Sequence, residues 1–220
     1  MRRLTSAAAA RRPIAAGNPA GPDPRERYDA NIDNILRAAA TVFAEKSFGL
    51  ASVRDIATRA HISFPRIYYY LRNKEELLYL ISKRAFEELI RRAKRSLAGV
   101  DDPEKGLRLF VRGHLEYHTD NLAAMKVLVR EADTLTGNYA ADIARLRREY
   151  SKICRRLIDQ LGLKHGKAID PDRSRILTSL LFGAMNWSYT WYDPARDYEQ
   201  RGRIADEVWS MVVSSVAARR

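Results

Sequence analysis

The stretch from Ser52 to Glu76, SVRDIATRAHISFPRIYYYLRNKEE, is the part of this chain with the fewest ways to fold. Ser52 followed three residues later by Asp55 is a capping-box pattern, which satisfies orphan N–H groups at a helix start. Val53, Ile56, Ala57 and Ala60 then recur at helical spacing and define one buried face. His61 ends that helix and Ile62 leads into the next. Ser63 is a second N-cap, and Pro65 sits in the first turn after it, where a missing N–H costs little. Ile67, Tyr70 and Leu71 fall on an inward side, while Phe64, Arg66, Tyr68 and Tyr69 point elsewhere. Asn73 caps a third helix, with Glu76 completing the cap.

Two short helices joined by a turn of three or four residues make a helix-turn-helix, whose second helix enters the DNA major groove. The side chains suit that use. Arg66 can meet a guanine edge or a phosphate. Tyr68 and Tyr69 carry hydroxyls, and Lys74 a charge, for phosphate oxygens. Helix N-termini at Ser52 and Asn73 add N–H donors. Arg54, Ser63, Phe64 and Pro65 complete the candidate DNA-contacting set. The competing reading is a small helical core decorated with tyrosines. Caps, turn, basic residues and exposed aromatics agree in one register, which argues against it.

Residues 28–78 resemble the DNA-binding domain of the TetR family of repressors. The family pattern runs roughly T-V-x-D-I-A-x-x-A-G-V-S-x-G-T-L-Y-x-H-F-x-x-K-E-x-L. In step with it stand Ser52-Val53, Asp55-Ile56-Ala57, Ala60, Ile62-Ser63, Ile67-Tyr68, Leu71, Lys74-Glu75 and Leu77. Phe43 and the Phe48-Gly49 pair match upstream. His61 replaces the turn glycine, a strained choice where φ is positive. Pro65-Arg66 replaces Gly-Thr and Tyr70 the usual His, so the reading surface differs from that of relatives. The resemblance implies an all-α protein with an N-terminal three-helix helix-turn-helix domain and a C-terminal helical ligand-binding and dimerisation domain.

The rest of the chain fits that plan. Helical patterns run from Arg27 to Lys46, where Phe48-Gly49 ends the first, and from Asn73 to Leu97, where Gly99 stops a long helix. Further helices run from Asp102 to His118, from Asp120 or Asn121 to Ala132, through to Leu161 before Gly162, from Asp170 to Tyr192, and from Glu199 to Ala217. That makes about nine helices and no strand. The expected divisions are a disordered basic tail over 1–26, the helix-turn-helix domain over 27–72, and the ligand-binding and dimerisation domain over 73–220.

Composition sets the outer limits. A net charge of +12 favours polyanions, nucleic acid first and acidic membrane second. Six arginines lie at or before the start of the first helix: Arg2, Arg3, Arg11, Arg12, Arg25 and Arg27. A basic arm there would follow the DNA backbone or minor groove, or be a plain solvated extension. A single cysteine, Cys154, allows no internal disulfide and fits a reducing cytoplasm. The longest apolar run, Ile176 to Trp191, is too polar to span a membrane, and no secretory signal is evident.

Two sites are expected in the second domain. Leu180, Gly183, Ala184 and Ser188 on the penultimate helix, with Val208, Trp209 and Val212 on the last, would form a four-helix dimer interface with a second copy. Completion of the monomer core is the alternative, but a helix-turn-helix usually reads two half-sites. Asn186, Trp187, Trp191 and Tyr192, faced by His114, Tyr117, His118 and Met125, have the apolar-with-polar-anchors character of a small-ligand cavity. Tyr150 and Arg130 join that set. The segment NWSYTWY over 186–192, with Arg147 to Tyr150, resembles the TetR-family branch that senses acyl-CoA thioesters. Arg145, Arg148, Lys152, Arg155 and Arg156 would then meet CoA phosphates, or else form a solvated face.

Other chemistries find little support. His114 and His118 share a helix face, but His-Leu-Glu-Tyr-His is not the zinc-protease order and no third ligand is near in sequence, so no metal is assigned. There is no Gly-rich phosphate loop, nucleophile elbow or paired acid, so neither an enzyme nor a cofactor is expected. The reading is a cytoplasmic homodimeric repressor that binds a palindromic double-stranded DNA operator and is released by a small hydrophobic effector, an acyl-CoA thioester foremost. A multidrug-type sensor of the same fold and a basic interaction protein are the alternatives.

Overall fold

A computed structural model describes residues 24–218; the tail expected over 1–26 lies almost wholly outside them. The described residues form ten α-helices and two short 3-10 turns, with no strand. The all-α architecture read from the sequence is borne out. No described helix is long and apolar enough to cross a membrane.

Helix α1 (Pro24–Leu50) begins ahead of Arg27 and is broken at Ser47, whose φ of 68° and ψ of 159° are non-helical. The break was expected at Phe48-Gly49, yet Ser47 carries the positive φ while Gly49 does not. Lys74 holds the turn in place: its Nζ donates to the carbonyls of Phe48, Gly49 and Ala51 at 2.8, 3.4 and 3.0 Å. The same ammonium sits 4.5 Å from the Phe48 ring centroid. Ile35, Leu36, Ala39 and Phe43 are buried, as are Ala38 and Val42. Both faces are covered because α1 packs on α2 (Val53–Ala60) on one side and on α4 (Lys74–Ser96) and α6 (Leu122–Glu131) on the other.

Helix α2 has the capping box. Ser52 Oγ accepts from the Asp55 N–H, and Asp55 accepts in return from the Ser52 N–H. Lys46 adds an ion pair to Asp55 at 2.8 Å. His61 is left-handed at φ 55°, and the Ile62 N–H reaches back to Ala57 O at 3.1 Å. That six-to-one bond ends α2 without a glycine. Helix α3 (Phe64–Tyr70) follows the turn. Ser63 occupies its N-cap position, but its hydroxyl makes no capping bond.

Helix α4 is capped by Asn73 and buries Leu77, Leu78, Ile81, Ala85, Leu89 and Ala93. It carries the chain from the helix-turn-helix into a bundle of α5 (Pro103–Asp120), α6, α7 (Gly137–Lys164), α8 (Pro171–Trp187) and α10 (Arg201–Ala217). The buried side chains of both parts form one continuous core.

Two later helix ends and one additional helix differ from the sequence expectation. Helix α7 runs past Gly162 to Lys164. A Cβ on Gly162 would lie 2.4 Å from Ile169, so this glycine permits close approach, and Gly166 (φ 78°) makes the turn. Helix α8 stops at Trp187, not Tyr192, and gives way to a 3-10 turn over Ser188–Thr190. Pro194 then opens α9 (Pro194–Asp197), a four-residue helix that the pattern did not reveal.

Candidate nucleic-acid interface and ligand cavity

Helix α3 buries Ile67 and leaves one side open. Phe64, Tyr68 and Tyr69 are 37%, 50% and 76% exposed, and Pro65 and Arg66 are exposed with them. Arg66 has no side-chain partner among the described residues. Arg54 of α2 lies 5.4 Å from the Phe64 ring centroid, and Phe64 meets Tyr68 edge-on at 5.3 Å. Tyr28, from the start of α1, packs against Tyr69 and Tyr70 at 6.4 and 5.1 Å, a contact the sequence did not disclose. The result is a surface of two outward arginines over a sheet of aromatic rings, with the Ser63 hydroxyl at its edge.

Other members of the expected DNA-contacting set are committed internally. Lys74 points into the α1–α2 turn. Ser52 gives its hydroxyl to Asp55. The N-terminus of α4 carries Glu75 and Glu76, and Glu76 accepts from the Arg72 N–H at 2.6 Å. Both helix N-termini therefore carry the chain's own carboxylates, which offset the positive end of the helix dipole. The Lys46 ammonium and the Ser52 N–H and hydroxyl hold the Asp55 carboxyl at about 2, so it stays ionised.

The bundle holds a cavity of about 410 Å³ that opens to the surface. Its walls are Phe86 and Leu89 of α4, His114 of α5, Met125 and Leu128 of α6, and Thr178, Phe182 and Asn186 of α8. Arg147 and Ser151 of α7 and Asp133 of the first 3-10 turn stand at the edge, where Arg147 pairs with Asp133 at 2.9 Å. Of the residues expected to meet a ligand, His114, Met125 and Asn186 line this space. Tyr150 stands behind His114, its hydroxyl 3.2 Å from Nδ1. The others lie elsewhere. Tyr117 is buried against the Arg92 guanidinium at 5.1 Å. Arg130 is exposed. Trp187 and Trp191 are 62% and 46% exposed, and Tyr192 packs in a separate small cleft with Thr119 and Ile204. All three aromatics were placed on a continued helix, and the 3-10 turn after Trp187 rotates the later two away.

The buried titratable groups in and behind the cavity wall are neutral. Burial pushes the His114 imidazole down to about 3, with His118 alongside adding to the effect and Asn186 opposing it. Burial likewise lowers His118 to about 4. The two rings stand edge to face at 6.3 Å, and His118 Nδ1 is taken by Ser188 Oγ at 3.0 Å. Burial also raises the Tyr150 phenol and the Cys154 thiol, so neither ionises near neutrality.

The face expected to pair with a second copy is partly redrawn. Ser188 is buried on His118, and Trp209 turns toward α5, where its Nε1–H donates to Glu104 O at 3.2 Å. Gly183 lines the cavity, and a Cβ there would meet nothing within 4 Å. What remains outside is an apolar strip. Ile176, Leu180 and Trp187 of α8 and Met211 of α10 are 47%, 64%, 62% and 66% exposed. They flank a shallow groove floored by Leu181, Ala184, Val208 and Val212.

Comparison with known families matches residues 35–79 to the model described as bacterial regulatory proteins, tetR family. Residues 100–216, more than half of the chain, match that of a tetracyclin repressor-like C-terminal domain. The chain belongs to the TetR family. The first model spans α2, α3 and the turn between them; the second spans every cavity wall except α4.

Among curated TetR-family relatives, the transcriptional repressor KstR2 of Mycolicibacterium smegmatis is 25% identical over 174 residues, 79% of this chain and 84% of that protein. The repressor NicS of Pseudomonas putida is 27% identical over 106 residues, and the match spans about half the length of each protein. A TetR-family regulator from Bordetella parapertussis superposes with a TM-score of 0.76 at 25% identity, covering 82% of this chain and 93% of that one. AibR, solved with isovaleryl coenzyme A and operator DNA, shares the fold at a TM-score of 0.73 and 21% identity, covering 82% and 97%.

Proposed function

We propose that this chain is a repressor that binds an operator as a homodimer and releases it when a small hydrophobic effector, foremost an acyl thioester of coenzyme A, fills the bundle cavity. The observation that carries the reading is that α4, the helix leaving the DNA-reading unit, is itself a cavity wall through Phe86 and Leu89. The volume of about 410 Å³ lies within the roughly 300–1,000 Å³ usual for such sites.

The DNA side of the reading rests on Arg54, Ser63, Phe64, Pro65, Arg66, Tyr68 and Tyr69, which face outward together. Arg66 reads a base edge or a phosphate, and the tyrosines hold the backbone. The apolar strip of Ile176, Leu180, Trp187 and Met211 is the dimer surface, because large exposed apolar patches mark protein contacts.

Release follows from linkage. At its start α4 is tied to the cavity rim: Glu75 accepts from the Thr136 N–H and hydroxyl at 2.9 and 2.8 Å. Tyr79 stacks on Tyr139 at 4.3 Å and donates to Asp142 at 3.0 Å. Only Leu135 separates Thr136 from the turn that carries Asp133. An effector that shifts this rim shifts the start of α4, and with it α3. It releases DNA only if it binds the DNA-free form more tightly.

The acyl-CoA assignment is supported by the apolar side chains Phe86, Leu89, Met125, Leu128 and Phe182 in the walls and by exposed cations on α7. Arg148 and Lys152, next in sequence to Arg147 and Ser151, are exposed and have no ion-pair partner among the described residues. They suit phosphates held outside while the acyl chain enters. AibR shows that the shared fold accommodates isovaleryl coenzyme A, and the FadR regulator of Bacillus subtilis was solved with stearoyl-CoA. The test is operator release, followed by fluorescence anisotropy, against a panel of acyl-CoA thioesters, free CoA and free fatty acids. At least one thioester should dissociate the complex while free CoA and free acids do not. Release by hydrophobic drugs with indifference to every thioester would replace this reading with a multidrug-type sensor.

A further inference from the structure

His114 is 2% exposed, lines the cavity, and has one ring nitrogen without a partner. Its Nδ1 lies 3.2 Å from the Tyr150 hydroxyl, a contact that favours one tautomer. Tyr150 is itself buried, and its phenol has no other hydrogen-bond partner among the described residues. If His114 Nδ1 carried the proton, the phenol hydrogen would be left without an acceptor, at a cost of about 1–3 kcal/mol. The phenol therefore donates to Nδ1, and the single imidazole proton resides on Nε2. Tyr150 is not among the cavity walls, and the opposite edge of the ring, the Nε2–H, is enclosed without a hydrogen-bond partner among the described residues. Asn186 lies beside the ring on α8 without closing a hydrogen bond to Nε2.

Resting on the effector reading above, the geometry points to His114 Nε2–H as the hydrogen-bond donor that receives a neutral carbonyl oxygen of the effector, with Tyr150 as the positioning residue that fixes the donor tautomer. The oxygen is that of a thioester or of a ketone within the acyl group; both present the same acceptor. A carboxylate gains less from this donor, because burial keeps the imidazole neutral and it brings no counter-charge of its own.

Two measurements decide this. The first needs no effector: nitrogen-15 spectra of histidine-labelled protein should show His114 protonated on Nε2 at pH 7, and in Tyr150→Phe that population should fall. A ring protonated on Nδ1 in the wild type overturns the proposal. The second compares hexanoyl-CoA with S-hexyl-CoA, the thioether lacking only the carbonyl, by calorimetry. The wild type should prefer the thioester by about tenfold or more. In His114→Phe, which keeps an aromatic ring in the cluster, the two should bind alike. An undiminished preference in His114→Phe overturns the proposal. Should neither CoA compound bind, the acyl-CoA reading fails by itself. The same comparison made with 2-nonanone and nonane then reads the donor: a shift of the His114 Nε2 resonance by the ketone only supports it, and equal effects overturn it.

Discussion

Two histidines buried as neutral groups give this protein an acid sensitivity that can be worked from the structure. His114 and His118 titrate near the ordinary 6.5 once the chain unfolds, but at about 3 and about 4 in the folded state, because burial penalises the charged ring. Between those limits the unfolded chain binds protons that the folded one does not, so stability falls as pH falls. From pH 7 to pH 5 each ring costs about 2 kcal/mol, which is 1.5 units below 6.5 at about 1.4 kcal/mol per unit, and the pair costs about 4 kcal/mol. The carboxylates do not blur this window. Asp55 and Asp197 are held at about 2 by Lys46 and Arg196 respectively, and their contributions are lost only as pH falls below the ordinary 3.8. Urea unfolding at pH 7, 6 and 5 measures the effect. A His118→Gln variant should start less stable and show about half the pH dependence. A midpoint that stays level from pH 7 to 5, or a variant that falls as steeply as the wild type, would refute the assignment of these rings as buried neutral groups.

Other substitutions probe the remaining assignments. Ser47→Gly relieves a backbone conformation that suits only glycine and should raise stability by about 1 kcal/mol, seen as a rise of about 2–4 °C in Tm. Lys74→Met removes three carbonyl contacts and should cost about 2–3 kcal/mol in urea unfolding. It should also leave the salt dependence of operator binding unchanged, whereas loss of a phosphate contact would lower that slope by about one. Leu180→Glu alters a side chain already exposed in the monomer, so the protein should remain folded yet sediment as a monomer with much weaker operator binding; a dimeric Leu180→Glu protein removes the α8 strip as the interface. Arg66→Ala should reduce discrimination between operator and random DNA by about 1–3 kcal/mol, and wild-type discrimination would show that α3 is read from another face.

The sequence by itself determined most of the helices, several of their caps and the family, because those signals are local. The Ser52–Asp55 capping box, the left-handed turn at His61, the Asn73 cap and the Asp102-Pro103 start act within one turn of chain, and each appears where its pattern stands. The alternation of Ile67 with Tyr68 and Tyr69 likewise separates core from surface on a helix too short to lose register. Tertiary structure decided which of two similar faces each later side chain occupies. Lys74 matched a family position and carried a charge, but only the approach of α4 to the α1–α2 turn shows its ammonium satisfying three carbonyls. Gly162 has the residue type of a helix end, yet the packing of Ile169 makes it a point of close approach. Trp187, Trp191 and Tyr192 read as one aromatic cluster on a continuing helix. The helix stops at Trp187, and a change of about 20° per residue between α-helical and 3-10 geometry sends each ring to a different environment. His114, Met125 and Asn186 reached the cavity from three separate helices, a convergence set by how α5, α6 and α8 cross and not by any spacing along the chain.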